Sequence, residues 1–154
     1  VVANYAELLA ERFNADKEVV ELAAYLHDFS VIVDPETANE HHIAGADLAE
    51  RILTEYSLPK DKIEKVKQCI LTHSSPIQVG EGDCEAVCLS NADAMAQIAK
   101  PAFWLYVNYS IWKNSYRQGV KAYLDWIDGN WKGLIAPAKE YVGDRYLKVK
   151  EILY

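Results

Sequence analysis

The chain has 154 residues and a formal net charge of −7, with about half its residues apolar and a quarter charged. That length describes one domain, with room for a small appended subdomain, and a core large enough to fold without a disulfide or structural metal. The acidic balance argues against a broad basic face for a polyanion, while leaving open a small phosphate ester held by a metal, and no run of 18 apolar residues exists to span a membrane.

Cys69, Cys84 and Cys88 are an odd, sparse set, which reads as reduced thiols and small core residues of a cytoplasmic protein. The first helix pattern, with Val2, Tyr5, Ala6, Leu8, Leu9 and Phe13 apolar, is already under way at Val1, so further residues are expected upstream. Asn14-Ala15-Asp16 breaks it, and Asp16 has the chemistry to cap a helix over Lys17 to Phe29. Ser30 to Thr37, with Asp34-Pro35, reads as a loop. A helix is expected from Ala38 to Tyr56; Gly45 in its interior costs about 1 kcal/mol relative to alanine and so points to close packing. Pro59 opens the next helix, which ends at His73 before Ser74-Ser75-Pro76. A glycine-bearing loop over 79–83 precedes a helix from Cys84 to Lys100, stopped by Pro101. From Phe103 onward the chain is rich in Trp and Tyr, with Gly119, Gly129, Gly133 and Pro137 punctuating helices that run to Tyr154. No strand-period alternation of useful length occurs. The expected organisation is all-α: a helical core over 1–100 and an aromatic-rich helical extension over 101–154 packed on it.

The chemistry concentrates on His27-Asp28, an adjacent imidazole and carboxylate at the end of an apolar helix. Burying both without a partner is costly, and a divalent cation would satisfy both. His42, His73 and Asp93 are further candidate ligands on three other helices. Nitrogen and oxygen donors without thiolate suit iron, manganese, zinc, nickel or cobalt better than calcium. His41 and His42 point about 100° apart on a helix, so one of them faces the site; the spacing to Gly45 selects His42.

The stretches AAYLHDFS, EHHIAGADLAERIL, CILTHSS and LSNADAMAQI, in this order and spacing, resemble the HD-domain metal-dependent phosphohydrolases over about residues 1–100. The resemblance implies an all-α helical bundle with a metal site between helices. It implies His27, Asp28 and Asp93 on a first ion together with an earlier His, which would fall before Val1. It implies His42 and His73 on a second ion, with Asp28 bridging and His27 and Asp28 central to catalysis. One or two divalent metals (Fe, Mn, Zn, Ni, Co or Mg) would be the cofactor. The expected activity is hydrolysis of a phosphate ester or anhydride, with a small nucleotide as substrate and no membrane or extended nucleic acid as partner. Two other readings use the same residues: a degenerate module that binds nucleotide as a regulator, and a di-iron oxygenase. The later aromatics could stack on a base or pack the extension onto the core, and packing is the preferred reading.

Overall fold

The computed structural model describes residues 1–153, and among these every regular element is helical. Helix α1 (Val2–Phe13) ends with Asn14 in the left-handed region, where a short polar side chain is tolerated. Asp16 then caps α2 (Lys17–Leu26), accepting hydrogen bonds from the backbone N–H groups of Glu18 and Val19. The segment expected as a loop folds instead into a short helix, α3 (Phe29–Val33), and a 3₁₀ turn over Pro35–Glu40. Asp34 caps that turn and Pro35 starts it, so α4 (His41–Glu55) begins three residues later than the apolar pattern indicates.

Helix α5 (Lys60–Thr72) follows Pro59 and packs on α4 and α2. The centre of the molecule is α6 (Cys84–Ala99), which is buried on nearly all sides. Its apolar residues occupy every face, as a helix sheathed by others requires. It packs against α1, α2 and α5 on one side and against α8 (Tyr116–Gly133) and α9 (Ala136–Leu153) on the other. Between these halves, α7 (Pro101–Tyr106) runs into a π segment over Val107–Ile111, where the Trp112 N–H reaches back five residues to the Val107 carbonyl.

Gly119 and Gly129 interrupt no helix; both lie inside α8. At Gly119 a Cβ would come within 2.4 Å of the Tyr109 ring, so the residue is small to admit that ring. The expected end of the last helix at Tyr154 lies outside the described residues. The three thiols are free; burial pushes Cys69 up to about 12, and Cys69 and Cys88 pack within the core.

Candidate metal centre

Four helix ends and one helix interior bring the chemistry together. His27 is the C-terminal residue of the α2 turn, and Asp28 sits in the bridge region (φ −106°, ψ 7°) that redirects the chain into α3. His41 is the first residue of α4, His73 is the C-cap that follows α5, and Asp93 lies midway along α6.

Three imidazoles are oriented by one local device. Nδ1–H of His27 donates to the Ala24 carbonyl at 2.9 Å, that of His41 to Ala38 at 2.9 Å, and that of His73 to Ile70 at 2.6 Å. A carbonyl only accepts, so Nδ1 carries the hydrogen in each neutral ring and Nε2 presents a lone pair. These lone pairs converge. His41 Nε2 and His73 Nε2 are 3.2 Å apart, and the His73 ring meets the rings of His27 and His41 edge to face, each at 5.0 Å between centroids. Two lone pairs at that distance repel unless a cation stands between them.

The carboxylates complete the set. Asp28 turns Oδ2 to His27 Nε2 at 3.2 Å and Oδ1 to His73 and His41 at 3.8 and 3.9 Å. Asp93 Oδ1 lies 3.8 Å from His27 Nε2. Two groups could each hold an ion, His27–His73–Asp93 and Asp28–His41–His73, with all ligand atoms in each within 4.8 Å of one another. Their shared member is His73, while Asp28 directs one oxygen to each side. The donors, three imidazole nitrogens and two carboxylates, fit a borderline divalent transition metal.

Sequence reasoning expects His42 here; the structure brings His41 into the cluster, and His42 is in neither group. Gly45 lies four residues after His41 and three after His42, both neighbouring spacings on a helix, so spacing alone does not separate the two. A Cβ at Gly45 would stand 2.8 Å from the His27 carbonyl oxygen, so its absence is what lets α4 approach α2 and set His41 over the site.

Burial lowers the basicity of His27, but the hydrogen bond to Asp28 and the charges of Asp28 and Asp93 outweigh it, and its pKa is raised. Burial raises Asp28, yet the same hydrogen bond and the three imidazoles bring it below the ordinary carboxylate range. Burial pushes Asp93 up to about 6 and His73 down to about 4. Asp93 is further held by Gln97, whose side-chain amide donates to Asp93 Oδ2 at 2.8 Å. Gln97 Oε1 accepts in turn from Asn130 Nδ2 at 2.5 Å, and the Gln97 carbonyl accepts from Tyr123 O–H at 2.9 Å. Helix α8 thus reaches the cluster through one polar chain that the sequence reading missed. The i,i+4 spacing of Asp93 and Gln97 was its available signal.

Above the cluster opens a cleft of about 510 Å³ lined by Asp28, His41, His73 and Asp93 on its floor. Phe103, Trp104, Trp112 and Trp126 form its wall. The aromatic-rich region therefore divides. Trp131 stacks on Tyr146 at 4.4 Å and serves packing, whereas three of the four tryptophans face the cleft.

A family model described as HD domain matches residues 1–98. An uncharacterized protein of Clostridium beijerinckii is 34% identical over 74 residues, which are 47% of this chain and 47% of that one. The match thus spans about half the length of that relative. No solved structure matches the chain.

Proposed function

The chain belongs to the HD-domain family of metal-dependent phosphohydrolases, and from that premise we propose that it hydrolyses a small phosphorylated substrate, a nucleotide by preference, at the cluster around His73. The supporting observation is the approach of His27, His41, His73, Asp28 and Asp93 in two overlapping groups, with His41, His73 and both carboxylates on the floor of one cavity. His27, Asp28, His41, His73 and Asp93 are the proposed ligands, with His41 in the place expected for His42. They would hold a divalent ion, which would supply Lewis acidity toward water and phosphoryl oxygens. The protein's own part is geometric. Backbone carbonyls fix each imidazole, Asp28 spans both ligand groups, and Gln97 fixes Asp93. The aromatic wall offers flat faces to a base and keeps bulk water from one side of the floor.

The test is metal analysis on stripped and reloaded protein, paired with phosphate release across a panel of nucleotides. The wild-type chain is expected to take up one or two equivalents and release phosphate. A folded Asp28→Ala variant should lose both, because Asp28 belongs to one group and turns its other oxygen to His27 of the second. Normal metal content in that variant would remove the assignment. Metal uptake with oxygen consumption and no phosphate release would point to the oxygenase reading. Nucleotide binding without turnover would point to a regulatory module.

A further inference from the structure

The cleft has two unlike sides. Among the described residues, the charged groups that line it are the carboxylates of Asp28 and Asp93 on its floor, beside the imidazoles of His41 and His73. Its wall is apolar and flat. Trp104 and Trp126 meet edge to face with centroids 4.5 Å apart, an arrangement that holds both rings in place. Phe103 and Trp112 are 57% and 53% exposed, at the mouth, where they present faces that neither ring buries. Val31 and Ile32 of α3 extend the wall opposite. Among the described residues no lysine or arginine lines this cavity; Lys100 lines a smaller adjoining recess of about 270 Å³, which shares Asp28, Asp93, Phe103 and Trp104 with the cleft and also reaches His27.

Charge then selects the ligand. Two divalent ions on two carboxylates leave two positive charges, which one phosphate monoester dianion offsets. Each further phosphate brings negative charge into a space walled by indoles, in a protein whose formal net charge is already −7. Among the described residues that line this half-open cleft, no cationic side chain pairs with that charge. A flat aromatic group gains instead, because every such face can stack on the exposed rings. The volume is within the usual range for a small-molecule site.

Resting on the phosphohydrolase reading above, we propose that the site selects phosphate monoesters whose alcohol carries a flat aromatic group, and disfavours di- and triphosphates and aliphatic esters. In the reaction, the oxygen of one water bonds to phosphorus and the ester P–O bond breaks. The leaving oxygen gains a proton, giving the free alcohol and inorganic phosphate.

The experiment uses the manganese-loaded chain and five probes: AMP, phenyl phosphate, glycerol phosphate, ADP and ATP. Phosphate release gives kcat/KM for each, and tryptophan fluorescence gives an equilibrium binding constant for each. The expected result is at least a tenfold preference for AMP and phenyl phosphate over glycerol phosphate and ATP. Trp104→Ala should raise KM for the aromatic esters about tenfold, in line with the loss of one stacking surface, change glycerol phosphate by several-fold less, and leave metal content at the wild-type value. Trp104→Phe should restore most of the loss. If Trp104→Ala does not fold, Trp112→Ala, at the exposed mouth, carries the same expectation. Equal use of AMP and ATP, equal use of aromatic and aliphatic esters, or a uniform loss across all probes overturns the proposal. If no probe releases phosphate although metal is bound, the hydrolase reading fails. Selective binding of AMP over ATP and glycerol phosphate would then still support the ligand class, and unselective binding would remove it as well.

Discussion

Replacing Gln97 by leucine keeps the volume of the side chain and deletes its amide. Two hydrogen bonds go with it, the 2.8 Å bond to Asp93 Oδ2 and the 2.5 Å bond from Asn130. The Asp93 side chain is only 14% exposed, so water replaces the first poorly. Asn130 is 9% exposed and loses the partner of a buried donor. Leaving such a group unpaired costs about 1–3 kcal/mol, so the metal-free variant should unfold at correspondingly lower denaturant. Freed of Gln97, the Asp93 carboxylate can rotate away from His27. Removing an outer partner of a ligand typically lowers metal affinity about 10–100-fold. That factor corresponds to roughly 1.4–2.7 kcal/mol at 1.36 kcal/mol per decade. A chelator-competition titration on stripped protein measures it, with circular dichroism confirming the fold. Asn130→Ala should act in the same direction and more weakly, and the double variant should be little worse than Gln97→Leu alone, since both cut one chain. A folded Gln97→Leu protein whose metal dissociation constant stays within about threefold of wild type would refute the reasoning.

Other consequences can be checked in the same assays. His41→Ala should lower metal stoichiometry while His42→Ala leaves it intact; the reverse result would return His42 to the site. Gly45→Ala places a Cβ 2.8 Å from the His27 carbonyl oxygen, so it should destabilise the fold by about 1–3 kcal/mol and weaken metal binding too. Unchanged stability would mean that α2 and α4 part without cost. Asp93 must be ionised to act as a ligand, and burial has pushed it up to about 6. Protons therefore compete for it increasingly as pH falls through that value. His73, held down at about 4, stays neutral and available over the same range. Metal affinity should fall as pH drops from about 7 to 5, by up to about tenfold per unit for each proton displaced, with His27, whose pKa is also raised, contributing beside Asp93. Affinity that is flat across this interval would count against Asp93 as a ligand.

Much of the fold was legible because the chain punctuates itself with side chains of specific chemistry. Asp16 caps, Pro59 starts and Pro101 restarts the helices that the apolar pattern indicates. The missed elements are those whose stability is not written in a period. Helix α3 is too short to show one, and the 3₁₀ turn over Pro35–Glu40 is organised by the Asp34 side chain. At the site, His27, Asp28, His73 and Asp93 could be singled out by residue type, since each is costly to bury alone. The choice between His41 and His42 needed the phase of α4 against α2, because Gly45 is a helical neighbour of both. The tryptophans illustrate a different limit. Trp104 and Trp126 come from helices separated by the π segment, and only the tertiary arrangement turns them to one cleft while Trp131 faces Tyr146.

The three Nδ1–H bonds to backbone carbonyls have a practical consequence at the bench. They present Nε2 donors already aimed at one point, without waiting for an ion to gather them. A preset imidazole cage of this kind takes what it meets, and affinity for nitrogen donors rises from manganese and iron to nickel and copper. Material passed over an immobilised-nickel resin will therefore leave carrying a memory of the column. Its as-isolated metal content, colour and inhibition pattern will report the purification route. Protein prepared without a histidine tag, from cells grown in defined metals, is the form in which the resident ion can be identified.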